Sequence, residues 1–298
     1  MPTDQEYSQL STRAYAASSE NRAPVPAGWA ELEWIPDRSY YGFSAGVYKK
    51  GNDIVVAYTG TNQASDWGWA NIIVGVGGPS PQVIEAMLLY ATVRHENPDA
   101  NITFTGHSLG GGLASMMAVF FDKPATVFDH APFELGARNL VTLGIYQAAL
   151  TAAGFSDPAF VAYWAAAPTV FHAREAQVRG IYLKGEALEP TRGLIDITGV
   201  SLPAIDPGAP IGATAVNLHS MTLLASMMAS TPFANVVRAQ SGLIAMMFDA
   251  SLYGRDARRN EADLLSLLYS NQVRGTGAPL LDRFAADVQQ LQTAAGMT

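Results

Sequence analysis

Gly106-His107-Ser108-Leu109-Gly110 fill the pattern G-x-S-x-G, the spacing of a serine placed as a nucleophile on a sharp strand-to-helix turn. The chemistry on offer is acyl transfer through an attacking hydroxyl. Residues 101–105 (NITFT) read as a short buried strand and residues 109–121 (LGGGLASMMAVFF) as a buried helix. That context separates a nucleophile elbow from a serine in a glycine-rich loop. Such a serine occupies a strained backbone position, so its neighbours must be small, and Gly106 and Gly110 leave room for strand and helix to approach. Ser108 then holds its hydroxyl at the top of a sheet, with the Leu109 N–H aimed at a developing oxyanion.

A serine hydroxyl is a weak nucleophile until a base takes its proton and an acid orients that base. The chain has five histidines. His95 and His107 fall outside the order Ser, acid, His that goes with this elbow. His130 follows a strand, and His172 lies in an apolar insertion. His219, in Val216-Asn217-Leu218-His219-Ser220, comes after the candidate strands and just before a helix, so it is the expected base, with His172 next. The acid should lie just beyond the C-terminal end of a core strand. Glu186, after the strand RGIYL and Lys184-Gly185, meets that condition. Asp206 and Asp196 follow weaker strand signals and stay open as alternatives.

The elements that must position these residues alternate in the α/β manner. An amphipathic helix over 3–17 should cover the edge of the domain. Strands are expected at 30–35, 43–48 and 53–58, the last two joined by a hairpin at Lys50-Gly51-Asn52. A helix over 81–94 starts at Pro81 and leads into the elbow strand. Further strands are expected at 125–128 and 180–183. Between them, residues 132–179 are too long and too apolar for a simple crossover. This insertion is either a cap that presents Phe160, Tyr163 and Trp164 to a lipid-like substrate, or helices that thicken the core. Helices follow at 221–229, 234–248, 261–269 and 280–291. The expected organisation is a catalytic domain over 1–220 and a C-terminal helical extension over 221–298, which could offer an oligomer surface.

Composition narrows the function classes. The chain has 298 residues, 49% of them hydrophobic and 15% charged, enough to bury a large core. A formal net charge of −8 with no basic cluster argues against nucleic acid as a partner. The absence of cysteine excludes a disulfide framework and thiolate metal sites. The first residues, MPTDQEYSQLSTRAY, carry acids and lack an apolar core segment, so no secretory signal peptide is expected; the location is then cytoplasmic, or reached by a signal-independent route. No apolar run reaches the roughly 18 residues of a membrane span.

The strand VVAYTGT, the pair Asp66-Trp67 and the segment ITFTGHSLGGGLA together resemble the lipase class 3 branch of the α/β-hydrolases. Its members carry an RGT or RGS turn, a D-W pair and a GHSLGG elbow in that order. The resemblance covers roughly residues 53–128 with specific motifs and extends more loosely to His219. It implies an α/β-hydrolase fold with a mostly parallel central sheet flanked by helices. It also implies a serine carboxylic ester hydrolase acting on lipid-like esters, without cofactor or metal. Thr61 and Leu109 are then the oxyanion-hole donors, and Gly185-Glu186 matches the family's G-D acid with a glutamate. Thr59 replaces the usual arginine of the turn. Trp67 and Trp69, just past that turn, could line an acyl groove. Alternatives are a phospholipase A1-type effector, an acyltransferase or thioesterase, and a lipid-binding module without catalysis.

Overall fold

Thr3 and Glu6 cap one another to start the first helix. The Thr3 hydroxyl accepts from the Glu6 N–H at 3.2 Å, and the Glu6 carboxylate accepts from the Thr3 N–H at 2.8 Å. This helix, α1 (Asp4–Ala14), is followed by β1 (Ala30–Ile35), β2 (Ala45–Lys50) and β3 (Asp53–Tyr58). The computed structural model describes residues 1–15, 23–36, 42–60, 78–192, 203–249, 262–274 and 279–296. Gly51, at φ +59°, closes the hairpin between β2 and β3, where Lys50 faces Asp53.

The chain then runs through α2 (Pro81–Glu96), β4 (Asn101–His107), α3 (Leu109–Phe121) and β5 (Ala125–Phe128). The insertion holds α4 (Glu134–Arg138), α5 (Leu140–Ala152) and α6 (Pro158–Glu175), and leads to β6 (Val178–Leu183). Two short elements follow, α7 (Glu189–Arg192) and β7 (Ala204–Ile205), then α8 (Ala215–Leu218). The described residues end in α9 (Met221–Ala229), α10 (Thr231–Ala239), α11 (Leu243–Met247), α12 (Ala262–Arg274) and α13 (Leu280–Ala294). The helix expected over 234–248 is thus two helices, interrupted around Ser241-Gly242.

Among the described residues, seven strands form a sheet in the order β1 to β7, antiparallel at the first two junctions and parallel at the other four. The parallel part is covered on both faces, which is why β3 (DIVVAY) reads as a nearly continuous apolar run. Strand alternation divides the side chains between two cores. From β3, Ile54, Val56 and Tyr58 join the core under α2, α3 and the insertion. Val55 and Ala57 join the core under α1 and the C-terminal helices. The first helix therefore does not cover an edge as the sequence suggests. Tyr7 Oη donates to Thr103 Oγ1 at 2.9 Å, on the central strand β4.

The insertion packs on α3. Phe160 and Tyr163 are fully buried, their rings 5.2 and 5.6 Å from that of Phe120. Phe120 lies about 18 Å along α3 from Ser108, at 1.5 Å per residue. These two rings, expected from the sequence either to face substrate or to thicken the core, lie with the apolar side of α6 against α3. Arg174, near the end of α6, donates from Nη1 to the Ala159 carbonyl near its start, at 3.3 Å. In a straight helix these positions would be about 22 Å apart. The helix therefore bends between them, and it contains Pro168, which lacks an N–H and clashes with the preceding turn. Trp164 is 38% exposed, and its indole lies over Gly144 of α5.

Candidate active site

Ser108 has φ 57° and ψ −128°, a region that non-glycine residues enter only under constraint. The constraint comes from both sides. The Ser108 N–H donates to Phe128 O at 3.1 Å, and Ser108 O accepts from Gly112 and Ala131 N–H at 3.1 and 2.9 Å. The flanking glycines are required by close packing. A Cβ on Gly106 would stand 2.3 Å from Gly110 O, and one on Gly110 would stand 2.2 Å from Tyr58 O. Leu109 opens α3, so its N–H is one of the first four of a helix, which lack an intrahelical partner and sit at the positive end of the dipole.

His219 and Glu186 lie in separate connecting segments and meet in the interior. The short helix α8, opened by a Thr214–Asn217 capping box, ends at His219, and the Ser220 side chain then caps α9. Beyond β6, Gly185 turns the chain at φ +82° and leaves Glu186 at 1% exposure. Glu186 Oε2 lies 2.6 Å from His219 Nδ1 and accepts from Leu188 N–H at 2.7 Å. A carboxylate so placed orders Nδ1 as the donor, and in the neutral imidazole Nε2 is then the basic nitrogen. His219 also packs on the residue before the serine. Its ring centroid is 4.7 Å from that of His107, and His107 Nε2 lies 2.9 Å from the His219 carbonyl.

The other candidates sit elsewhere. Asp206 is an exposed residue paired with Lys184 at 3.2 Å. His172 pairs with Glu175 on the far part of α6 at 3.0 Å, its side chain half exposed. His130 is buried beside the elbow, against Gly111. Asp196, Thr61, Trp67 and Trp69 lie outside the described residues.

One buried acid of this region carries no role in the sequence reading. Asp129 ends β5 and is fully buried, with φ 41°. Its Oδ1 accepts from Leu183 N–H at 2.9 Å, and Oδ2 stands 3.7 Å from His107 Nε2. Burial pushes its carboxyl above the usual range, against the pull of His107. Its place at a strand end is the same signal that singles out Glu186. His107, Asp129 and His219 bring potential ligand atoms within 4.8 Å of one another. His107 Nε2 and His219 Nδ1 are, however, already directed at His219 O and Glu186.

An elbow after β4, helices on both faces and a mostly parallel sheet make this an α/β-hydrolase fold. An extracellular phospholipase A1 of Serratia liquefaciens is 34% identical over 108 residues, which are 36% of this chain and 33% of that protein. A putative lipase, ATG15, of Eremothecium gossypii is 53% identical over 55 residues, 18% of this chain and 10% of that protein. The matches span a third or less of these relatives. Among solved structures, the nonglycosylated LIP2 lipase of Yarrowia lipolytica aligns over 71% of this chain and 81% of its own, at 14% identity and a TM-score of 0.41. A triacylglycerol lipase of Penicillium expansum aligns over 72% and 80%, at 16% identity and a TM-score of 0.38. The Tle-like phospholipase domain matches residues 6–197, well over half of the sequence, and the chain belongs to that family.

Proposed function

We propose that this protein is a serine hydrolase that cleaves carboxylic esters of lipids, phospholipids among them, through an acyl-enzyme. The observation that carries the reading is the buried 2.6 Å contact of Glu186 with His219, beside a serine held in a strained elbow. Ser108 Oγ attacks the ester carbonyl while His219 Nε2 takes its proton, and Glu186 stabilises the imidazolium that forms. The tetrahedral oxyanion is received by the N–H of Leu109 and by Thr61, each such donor contributing about 3 kcal/mol to the transition state. Collapse expels the alcohol, which takes the proton from His219. Water, activated by the same nitrogen, then releases the fatty acid.

The family and the phospholipase A1 relative support a lipid as the acyl donor. So does the outer surface of the insertion, where Leu140, Val141, Ile145, Val161 and Trp164 are exposed. Such a surface suits contact with a lipid aggregate. The test is a panel of p-nitrophenyl esters of graded chain length beside phosphatidylcholine vesicles, with Ser108→Ala as reference. Hydrolysis of long-chain esters and release of fatty acid from the phospholipid are expected. Activity on soluble acetate alone would contradict a lipid substrate, and activity in Ser108→Ala would contradict the mechanism.

A further inference from the structure

A chain of hydrogen bonds runs from the turn after β3, through Tyr15 and His107, to the loop that carries His219. Gly60 N–H donates to Tyr15 Oη at 2.7 Å. The same hydroxyl lies 2.8 Å from His107 Nδ1 and 3.1 Å from His107 O. On the other side of the ring, His107 Nε2 is 2.9 Å from His219 O. A carbonyl only accepts, so Nε2 bears the proton, and Nδ1 of a neutral ring accepts from Tyr15. Asp129 Oδ2, 3.7 Å from Nε2, favours the same tautomer. Burial holds His107 below the usual imidazole range, against the pull of Asp129, which keeps the ring neutral as this pattern requires.

The junction is tight as well as bonded. A Cβ on Gly60 would stand 2.6 Å from Tyr15 Oη and 2.9 Å from Ser108 Cβ, so the Gly60 backbone lies directly against the serine. Tyr15 is the C-cap of α1, a helix anchored on the centre of the sheet, and its ring meets that of His107 edge-on at 5.5 Å. Thus one side chain from the start of the sequence touches the turn preceding Thr61 and the residue preceding Ser108, and reaches the His219 backbone through that residue.

We propose that Tyr15 is a positioning residue for ester hydrolysis: its hydroxyl, relayed by His107, holds the Gly60 turn and the His219 loop in fixed relation to Ser108. The inference rests on the reading of Ser108 and His219 as nucleophile and base. Misplacing the turn weakens interactions made in the transition state more than those made with bound ester. The effect therefore falls on kcat and leaves KM nearly unchanged.

The test uses the full chain carrying Tyr15→Phe, His107→Leu or both, with Ser108→Ala as reference. Kinetics on p-nitrophenyl butyrate, thermal midpoints and the rate of labelling by a fluorophosphonate are measured. Tyr15→Phe is expected to lower kcat by about 10- to 100-fold, the scale of a small misplacement in an active site. KM and the thermal midpoint should stay near the parent values, and labelling should slow in parallel yet still reach completion. If the relay acts as a unit, the double variant loses no more than the worse single one. Should His107→Leu fail to fold, His107→Met takes its place in the cycle. A Tyr15→Phe protein with kcat within about twofold of the parent, or losses that simply multiply in the double variant, would overturn the relay. If Ser108→Ala is inactive and Tyr15→Phe is unaffected, only the role of Tyr15 fails. Retained activity in Ser108→Ala would instead remove the reading beneath it.

Discussion

The carboxylate of Glu186 and the imidazole of His219, 33 residues apart in sequence, meet at 2.6 Å with both side chains almost wholly buried. Gly185, at φ +82°, turns the chain between the end of β6 and Glu186. Replacing the carboxylate by an amide removes the charge that favours the imidazolium. Glu186→Gln should therefore lower kcat by on the order of 10³- to 10⁴-fold with little change in KM. Asp206→Asn, at an exposed residue paired with Lys184, should stay near parental activity. Steady-state kinetics on one soluble ester checks both, and the reverse pattern would move the acid to Asp206.

The elbow glycines give a test of stability. Gly110→Ala drives a Cβ to within 2.2 Å of the Tyr58 carbonyl, which is backbone and cannot swing aside. A loss of at least about 1–3 kcal/mol is expected, together with loss of activity as Ser108 shifts. Gly78→Ala meets nothing within 4 Å and serves as the control. Urea denaturation of the two variants should separate them clearly; equal midpoints would show that strand and helix do not approach as closely as described.

Glu6 makes stability depend on acid pH. Its partial burial opposes ionisation, yet hydrogen bonds from Lys50, the Thr3 N–H and Trp29 outweigh it and lower the carboxyl to about 2. A depressed carboxyl contributes stability that is present above its unfolded value near 4.5 and is lost as pH falls toward 2. Glu6→Gln should cost about 1 kcal/mol at neutral pH, the scale of a helix cap. That difference should shrink through this window, as thermal midpoints of parent and variant at pH 7, 4 and 3 would reveal. A gap that does not change with pH would mean that packing, not charge, carries the effect.

The insertion has a buried inner face and an exposed outer one. Phe160→Ala empties a fully buried site against Phe120 and Phe121 and should cost about 3–5 kcal/mol of stability, with short and long esters affected alike. Val161→Ser with Trp164→Ser changes exposed positions. The pair should weaken sedimentation with phosphatidylcholine vesicles while hydrolysis of p-nitrophenyl butyrate is kept. Vesicle binding unchanged in that pair would remove the lipid-surface role of this face.

What the sequence disclosed and what it hid follow from the range of the interactions. The elbow was legible because steric demand is written in residue types: only glycine fits at 106 and 110, and the flanking runs define strand and helix. The strand-end place of Glu186 and the late place of His219 follow from chain order. The aromatic residues of α6 were ambiguous, since Phe160 and Tyr163 look the same whether they face a substrate or α3. Their direction depends on the bend of α6 and on packing with Phe120, which local periodicity does not encode. The network of Tyr15, His107 and Asp129 was invisible for a related reason. It joins residues up to 114 positions apart, each unremarkable by itself.

The central claim is that Ser108 is the nucleophile. Intact-mass and peptide mass spectrometry after treatment with a fluorophosphonate tests it most directly, run on the parent, Ser108→Ala and His219→Ala. The account predicts a single stoichiometric adduct on Ser108 in the parent, no adduct in Ser108→Ala, and labelling slowed by orders of magnitude in His219→Ala, each in step with ester hydrolysis. An adduct on another residue, or a Ser108→Ala protein that still turns over ester at the parental rate, would contradict it.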